Sequence, residues 1–157
     1  MKKLGIIGIG NPLRRDDSIG IVLLEKLKDQ RKTLPQHIEL IDGGTGGVKL
    51  LHILARFNHV LVIDAVFFNA QPGTHRIFTE KDIQNTDFFP KSSHEINLTQ
   101  VIELAKQSNE LPRYFRIFGV QPKDVSCGQG LSPEVTERVE MLVNELKKEI
   151  KSFTAMY

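Results

Sequence analysis

The chain has 157 residues, 40% of them hydrophobic, which is enough for the core of one domain that we expect to span residues 1–157. Its 21 basic and 19 acidic residues give a net charge of +2 without a basic block, so we expect it to bind neither nucleic acid nor a membrane surface. Cys127 is the single cysteine, which excludes an internal disulfide framework and a cysteine metal cage and favours the cytoplasm.

Short β-rich segments alternate with amphipathic segments along the chain. The first apolar run, Leu4–Ile9, stops at Gly10-Asn11-Pro12 and is too short for a signal peptide, so it is interpreted as a strand. The predicted elements are strand 3–9, helix 18–30, strand 37–41, helix 48–57, strand 59–66, strand 74–79, helix 94–107, strand 113–120 and helix 133–152.

This alternation predicts an α/β fold, a three-layer sandwich with a mostly parallel, twisted five-stranded sheet and helices on both faces. Segment 74–79 follows Gln71-Pro72-Gly73 too closely for a crossover helix, so it is expected to be antiparallel and near an edge. Ligands of open parallel sheets bind beyond the carboxyl ends of the strands. Candidate functional residues are therefore sought in those loops.

Two adjacent carboxylates, Asp16 and Asp17, follow the glycine turn after the first strand. A dinucleotide-binding loop is disfavoured, because Leu13 stands where Gly-x-Gly-x-x-Gly needs its third glycine and the two acids would repel a pyrophosphate. Either acid could cap the following helix. One carboxylate is enough for a cap, so the second is left without a structural explanation.

The loop Asp42-Gly43-Gly44-Thr45-Gly46-Gly47 follows the second strand. Its glycines permit positive φ angles and the close approach of another backbone. A plain strand-to-helix turn needs fewer glycines, so a substrate segment lying against bare main chain is the alternative interpretation.

Asp64 ends an apolar strand, where a carboxylate is costly unless it is hydrated, hydrogen-bonded or bound to a cation. Ser92-Ser93-His94-Glu95 has the form of a capping box, which places His94 in a first helical turn and keeps its imidazole neutral. With Asp17, these residues offer two carboxylates and one imidazole for Zn²⁺, Ni²⁺ or another divalent ion. Taken alone, Asp64 and His94 would each be assigned a structural role, and only the combination of the three residues indicates a metal site.

Five ordered motifs resemble those of the nickel–iron hydrogenase maturation endopeptidases. They are Gly8-x-Gly10-Asn11-Pro12-Leu13-x-x-Asp16-Asp17-x-x-Gly20, Asp42-Gly43-Gly44-Thr45-x-Gly47, Asp64-Ala65, Ser93-His94, and Gly119-Val120-Gln121-Pro122 with Gly130-Leu131-Ser132-Pro133. The resemblance runs through the whole chain. By motif position, Asp16 is expected to cap the helix and Asp17 to face a metal.

The resemblance implies a metal-dependent endopeptidase that removes the C-terminal extension of a [NiFe]-hydrogenase large-subunit precursor after nickel insertion. The implied catalytic and metal-contacting residues are Asp17, Asp64 and His94, and some family members carry Glu at the position of Asp17. The implied substrate-binding residues are Asn11, Asp42, Gly43, Gly44 and Thr45. Nickel is expected to arrive with the substrate, and zinc or cadmium could occupy the same site.

Two other functions share part of this pattern. Peptidyl-tRNA hydrolases have a similar Gly-x-Gly-Asn-Pro turn, but they need a histidine soon after it, and none precedes His37 here. A nickel-binding assembly chaperone that holds the precursor without cutting it would use the same three side chains as the protease. A monomer is expected in either case.

Overall fold

Five strands and five α-helices are present in residues 3–84 and 97–156, which are the residues described by the computed structural model. In chain order they are β1 (Leu4–Gly8), α1 (Ile19–Asp29), β2 (Ile38–Asp42), α2 (Lys49–Leu54), β3 (His59–Ala65), β4 (His75–Thr79), α3 (Leu98–Gln107), β5 (Tyr114–Val120), α4 (Pro133–Thr136) and α5 (Val139–Thr154). Within these ranges we find no helix with the length and apolar character needed to cross a bilayer.

The strands form one mixed sheet in the order β2-β1-β3-β5-β4. All neighbouring strands are parallel except β4, which pairs antiparallel with β5 at one edge. The α/β prediction and the predicted antiparallel edge strand are both confirmed. Every residue of β1 is buried, as expected for a strand covered on both faces.

Two apolar cores lie on opposite faces of the sheet. Helices α1 and α5 pack on one face, where Leu23 and Leu146 are fully buried. Helices α2 and α3 pack on the other, where Leu54 and Val101 are fully buried. This double covering fixes the sheet between two layers, so the loops at its carboxyl edge start from a rigid base.

The strand register aligns the carboxyl ends of three neighbouring strands, β2, β1 and β3. Gly8, at the end of β1, lies opposite Asp42 of β2 on one side and Ile63 of β3 on the other. Asp64 follows Ile63, so the register alone brings the loops after β1, β2 and β3 to one place.

The C-terminal helix predicted over 133–152 is divided in the structure. Ser132 is the N-cap of α4, as its pattern indicates, and accepts the Val135 N–H at 3.4 Å. The chain then forms a tighter turn in which the Arg138 N–H donates to the Val135 carbonyl at 3.0 Å, and α5 starts at Val139. The apolar periodicity runs through this break, so periodicity alone predicts one helix.

The described part of the helix predicted over 94–107 is α3, Leu98–Gln107. Asn97 is the N-cap of α3, and a capping box joins it to Gln100, with both hydrogen bonds at 3.0 Å. The predicted box Ser92–Glu95 lies outside the described residues. Because the Asn97 backbone is extended, α3 begins at Leu98, and the predicted helix start at His94 lies outside the described residues.

Candidate functional site

Asp17 and Asp64 lie near each other at the carboxyl edge of β1 and β3. Burial raises the pKa of the partly buried Asp64 carboxyl well above its ordinary value, and the negative charge of Asp17 raises that pKa further. The Ala65 N–H, which donates to Asp64 Oδ1 at 2.8 Å, acts in the opposite direction. The structure therefore places Asp17 close enough to Asp64 for its charge to act on the Asp64 carboxyl, while the role of the two acids as site residues stays a prediction.

A tight turn holds Asp17 in place. The Asn11 N–H donates to Asp17 Oδ2 at 3.0 Å, and the Asp17 N–H donates to the Arg14 carbonyl at 2.9 Å. A Cβ on Gly10 would lie 2.3 Å from the Asp17 carbonyl oxygen, so only glycine permits this approach. The Asn11 side chain accepts the Leu13 N–H at 2.9 Å, which gives this predicted substrate-binding residue a role in shaping the turn.

Asp16 has different surroundings and is not a helix cap. Its side chain is fully buried, and neither α1 nor the 3₁₀ turn Arg15–Ser18 before it has a side-chain cap hydrogen bond. Asp16 Oδ2 accepts the N–H groups of Lys123 and Asp124, both at 2.9 Å, and the Ser132 hydroxyl at 2.8 Å. Asp16 Oδ1 accepts the Ser132 N–H at 2.7 Å. The predicted cap is wrong because these donors, from the segment after β5, take both carboxylate oxygens.

We name this group, Asp16 with Lys123, Asp124 and Ser132, the clasp. Sequence analysis missed its function, although Gly130-Leu131-Ser132-Pro133 and Asp16 both belonged to the motifs it singled out. The signal that could have indicated the clasp was Ser132, a polar residue in a motif to which no chemistry had been assigned. The hydrogen bonds of the clasp join residues more than 100 positions apart, such as Lys123 and Asp16, which are separated by 107. A local sequence pattern cannot predict contacts at that distance.

The glycine-rich loop after β2 lies against the same turn. The Gly10 N–H donates to the Gly44 carbonyl at 2.9 Å, and Asp42 Oδ1 accepts the Gly44 N–H at 2.8 Å. Gly44 has a φ of +58°, which explains glycine there, and a Cβ at Gly44 or Gly47 would meet no atom within 4 Å. Gly43, in contrast, is buried against Ile7.

A cleft of about 550 Å³ opens over this loop. It is lined by Asp42, Gly43, Gly44, Thr45, Gly47, Val48 and Lys49. Bare main chain therefore faces the opening, as the second interpretation of the loop expects. We name Asp17, Asp64 and the loop 42–47 together the open edge.

The third residue of the predicted metal set, His94, lies outside the described residues. Within residues 3–84 and 97–156, no three His, Cys, Asp or Glu side chains are grouped closely enough to hold a metal ion. Asp17 and Asp64 thus supply two candidate ligands. The complete set of three stays a prediction.

Comparisons with known proteins agree on one family. A sequence model described as hydrogenase maturation protease matches residues 21–149. The hydrogenase 2 maturation protease of Escherichia coli (strain K12) is 30% identical over 142 residues, which are 90% of this chain and 86% of that protein. The hydrogenase expression/formation protein HoxM of Azotobacter vinelandii is 32% identical over 137 residues, covering 86% of this chain and 66% of that protein.

A solved structure shows the same fold. The hydrogenase maturating endopeptidase HybD from E. coli superposes with a TM-score of 0.80 at 28% identity, covering 96% of this chain and 93% of that one.

Proposed function

Because this chain belongs to the hydrogenase maturation protease family, and is thus a hydrolase of peptide bonds, we propose that its substrate is the nickel-loaded large-subunit precursor of a [NiFe] hydrogenase. The cleavage removes the C-terminal extension of that precursor. We place the reaction in the cytoplasm, where a chain with one exposed cysteine stays reduced.

The observation that carries this proposal is the pair of carboxylates at the open edge. Within the described residues, the hydrogen bonds to Asp17 reach only Oδ2 and those to Asp64 reach only Oδ1, so each group keeps one oxygen for a ligand. Two like charges in a partly buried position repel each other. A divalent cation removes that repulsion, and carboxylate oxygens with one imidazole suit nickel or zinc.

We propose that the cation is the nickel carried by the precursor, with Asp17, Asp64 and His94 as its contacts. A metal at this position supplies Lewis-acid polarisation of the scissile carbonyl or activation of a water molecule. The residues of the chain position the metal-bearing segment against the open edge. An unloaded precursor lacks this contact, so the same residues detect that loading is complete.

The loop 42–47 is suited to hold the segment to be cut. An extended peptide binds through its main-chain groups when the opposing surface is bare backbone without side chains. Gly44 and Gly47 face open space, and Thr45 and Asp42 are exposed beside them. These contacts would fix the register of the extension relative to the carboxylate pair.

The test is to incubate the purified chain with nickel-loaded and nickel-free large-subunit precursor and to follow the precursor's mass. We expect loss of a C-terminal peptide from the loaded form only. Stable binding without any loss of mass would contradict the protease and favour the assembly chaperone.

Two variants sharpen this test. Asp17→Asn removes one charge of the pair, whereas Asp29→Asn removes the charge of an exposed aspartate at the end of α1. We expect cleavage to be lost in the first variant and retained in the second. Equal cleavage by both would remove Asp17 from the site.

A further inference from the structure

The clasp does more than close the fold, because it joins the turn that carries Asp17 to the segment after β5. Asp16 is the neighbour of Asp17 in the chain, and all four of its side-chain hydrogen bonds come from residues beyond β5. Its own N–H donates to the Asp124 carbonyl at 3.0 Å. The peptide unit next to Asp17 is therefore held from both its side chain and its main chain.

Further backbone contacts extend the same attachment along the turn. The Arg15 N–H donates to the Gly128 carbonyl at 3.1 Å, and the Gly128 N–H donates to the Leu13 carbonyl at 2.9 Å. Arg15 has a φ of +41°, a strained value for a residue with a side chain. Such a conformation persists only where surrounding contacts determine it, and here they come from the segment after β5.

The same segment also holds the loop that follows Asp64. The buried Gln121 side chain accepts the Phe68 N–H at 2.7 Å and the Ala70 N–H at 3.4 Å. Its Nε2 group donates to the Pro122 carbonyl at 3.1 Å. Residues 121–132 thus contact both the turn that carries Asp17 and the loop that follows Asp64.

We infer that Asp16 is a positioning residue for peptide cleavage, which acts by holding the Asp17 turn against residues 121–132 and thereby fixes Asp17 relative to Asp64. This inference rests on the proposed function. Catalysis requires reacting groups held to within a fraction of an ångström, and groups that orient a metal-contacting residue often matter nearly as much as the contacts themselves.

Asp16→Asn tests the inference with the least change in volume. In either orientation the amide nitrogen of asparagine faces an N–H donor that it cannot accept, Ser132 on one side or Lys123 and Asp124 on the other, so the variant loses part of the clasp and keeps its size. We expect kcat for the nickel-loaded precursor to fall about 10- to 100-fold, with KM changed less than about twofold. A folded Asp16→Asn variant with wild-type kcat would overturn the inference.

The control is a variant that lowers the stability of the protein but leaves the clasp, and therefore the position of Asp17, unchanged. Ile150→Ala opens a cavity in the core under α5 and lowers the unfolding temperature without touching the clasp. We expect this variant to keep the wild-type kcat at a temperature where it is folded. A fall in kcat equal to that of Asp16→Asn at matched stability would show that Asp16 acts through stability alone.

Ser132→Ala serves where Asp16→Asn does not fold. It removes the hydroxyl donor and leaves the three backbone donors, so kcat should fall less than in Asp16→Asn, again at constant KM. An unchanged kcat in this variant would contradict the inference.

Hydrogen exchange separates this inference from the proposed function. In Asp16→Asn, at least one of the amides of Lys123, Asp124 and Ser132 should exchange faster than in the wild type, whether or not the precursor is cleaved. Unchanged exchange would overturn the clasp as a positioning device. Failure of the wild-type protein to cut the loaded precursor would instead overturn the proposed function.

Discussion

The clasp and the open edge begin at adjacent aspartates, yet their surroundings are opposite. Asp16 is fully buried and accepts four hydrogen bonds, so its charge is satisfied within the protein. Asp17 is partly buried, accepts one backbone N–H and lies beside another carboxylate. Asp16 and Asp17 have the same side chain and adjacent positions before α1. They differ because, among the described residues, hydrogen-bond donors from a distant segment of the chain reach Asp16 and do not reach Asp17.

The largest expected effect is at the open edge. Asp17→Asn and His94→Ala should each lower processing of nickel-loaded precursor by about 1,000-fold, because on the proposed function each removes a metal contact that stabilises charge during cleavage. Precursor mass over time measures this, and circular dichroism should show an unchanged fold. If either variant processed precursor at the wild-type rate, that residue would not belong to the site.

The clasp should respond to substitution through stability as well. Asp16→Ala leaves three backbone N–H groups and one hydroxyl without their acceptor, which should lower the free energy of unfolding by about 3 kcal/mol. Urea unfolding measures the difference. Asp29→Ala, at an exposed site, is the control and should change stability by less than about 0.5 kcal/mol. If Asp16→Ala lowered the free energy of unfolding no more than Asp29→Ala does, the hydrogen bonds of Asp16 would not stabilise the fold.

Asp64 should show a stability effect of the opposite sign. Its pKa is raised in the folded state, so the folded protein binds this proton more tightly than the unfolded chain does. That stability is complete below the unfolded-state pKa and is lost as the pH rises through the raised folded-state value. Asp64→Asn should therefore be more stable than the wild type at pH 8 and lose this advantage toward pH 4.

Thermal unfolding of both proteins across this pH range provides the measurement. The same Asp64→Asn variant should not process precursor. A variant less stable than the wild type at pH 8 would show that Asp64 is held by favourable contacts, like Asp16, and the contrast between the two regions would fail.

The smallest expected effects lie in the glycine loop. Gly44→Ala forces a side chain to a φ of +58° and should cost about 1 kcal/mol of stability, although no atom obstructs the new Cβ. Gly47→Ala meets open space without that strain, so it should leave stability unchanged and raise KM for the precursor. Unfolding temperatures and KM values separate the two variants. An unchanged KM for Gly47→Ala would argue against a peptide lying on this loop.

The fold could be predicted because its determinants are local. The apolar strands and the amphipathic helices alternate along the chain, and the short connection before β4 leaves room only for an antiparallel neighbour. The ends of the helices and strands were harder to predict from the sequence. Ser92–Glu95 and Asn97–Gln100 both match a capping box, and choosing between them requires the packing of α3.

The site could be predicted only in part, because some of its contacts join residues that are distant in the sequence. Strand order brings Asp17 and Asp64 to one edge, and parallel topology makes that expectation sound. The roles of Asp16 and Asp17 depend on donors from residues 123–132, which no pattern around position 16 expresses. Both residues belong to the same motif, which does not distinguish the buried Asp16 from Asp17, the proposed metal contact.

The Ser132–Asp16 bond also bears on how the molecule acquires activity as it folds. It closes a loop of 116 residues, and contacts this distant in sequence carry a large entropic cost that is repaid only when most of the chain is in place. The arrangement around Asp17 is therefore expected late, after β1, β3 and β5 have paired. A nascent or half-folded chain would thus contain Asp17 and Asp64 without the alignment between them. Such a chain would not cut the precursor.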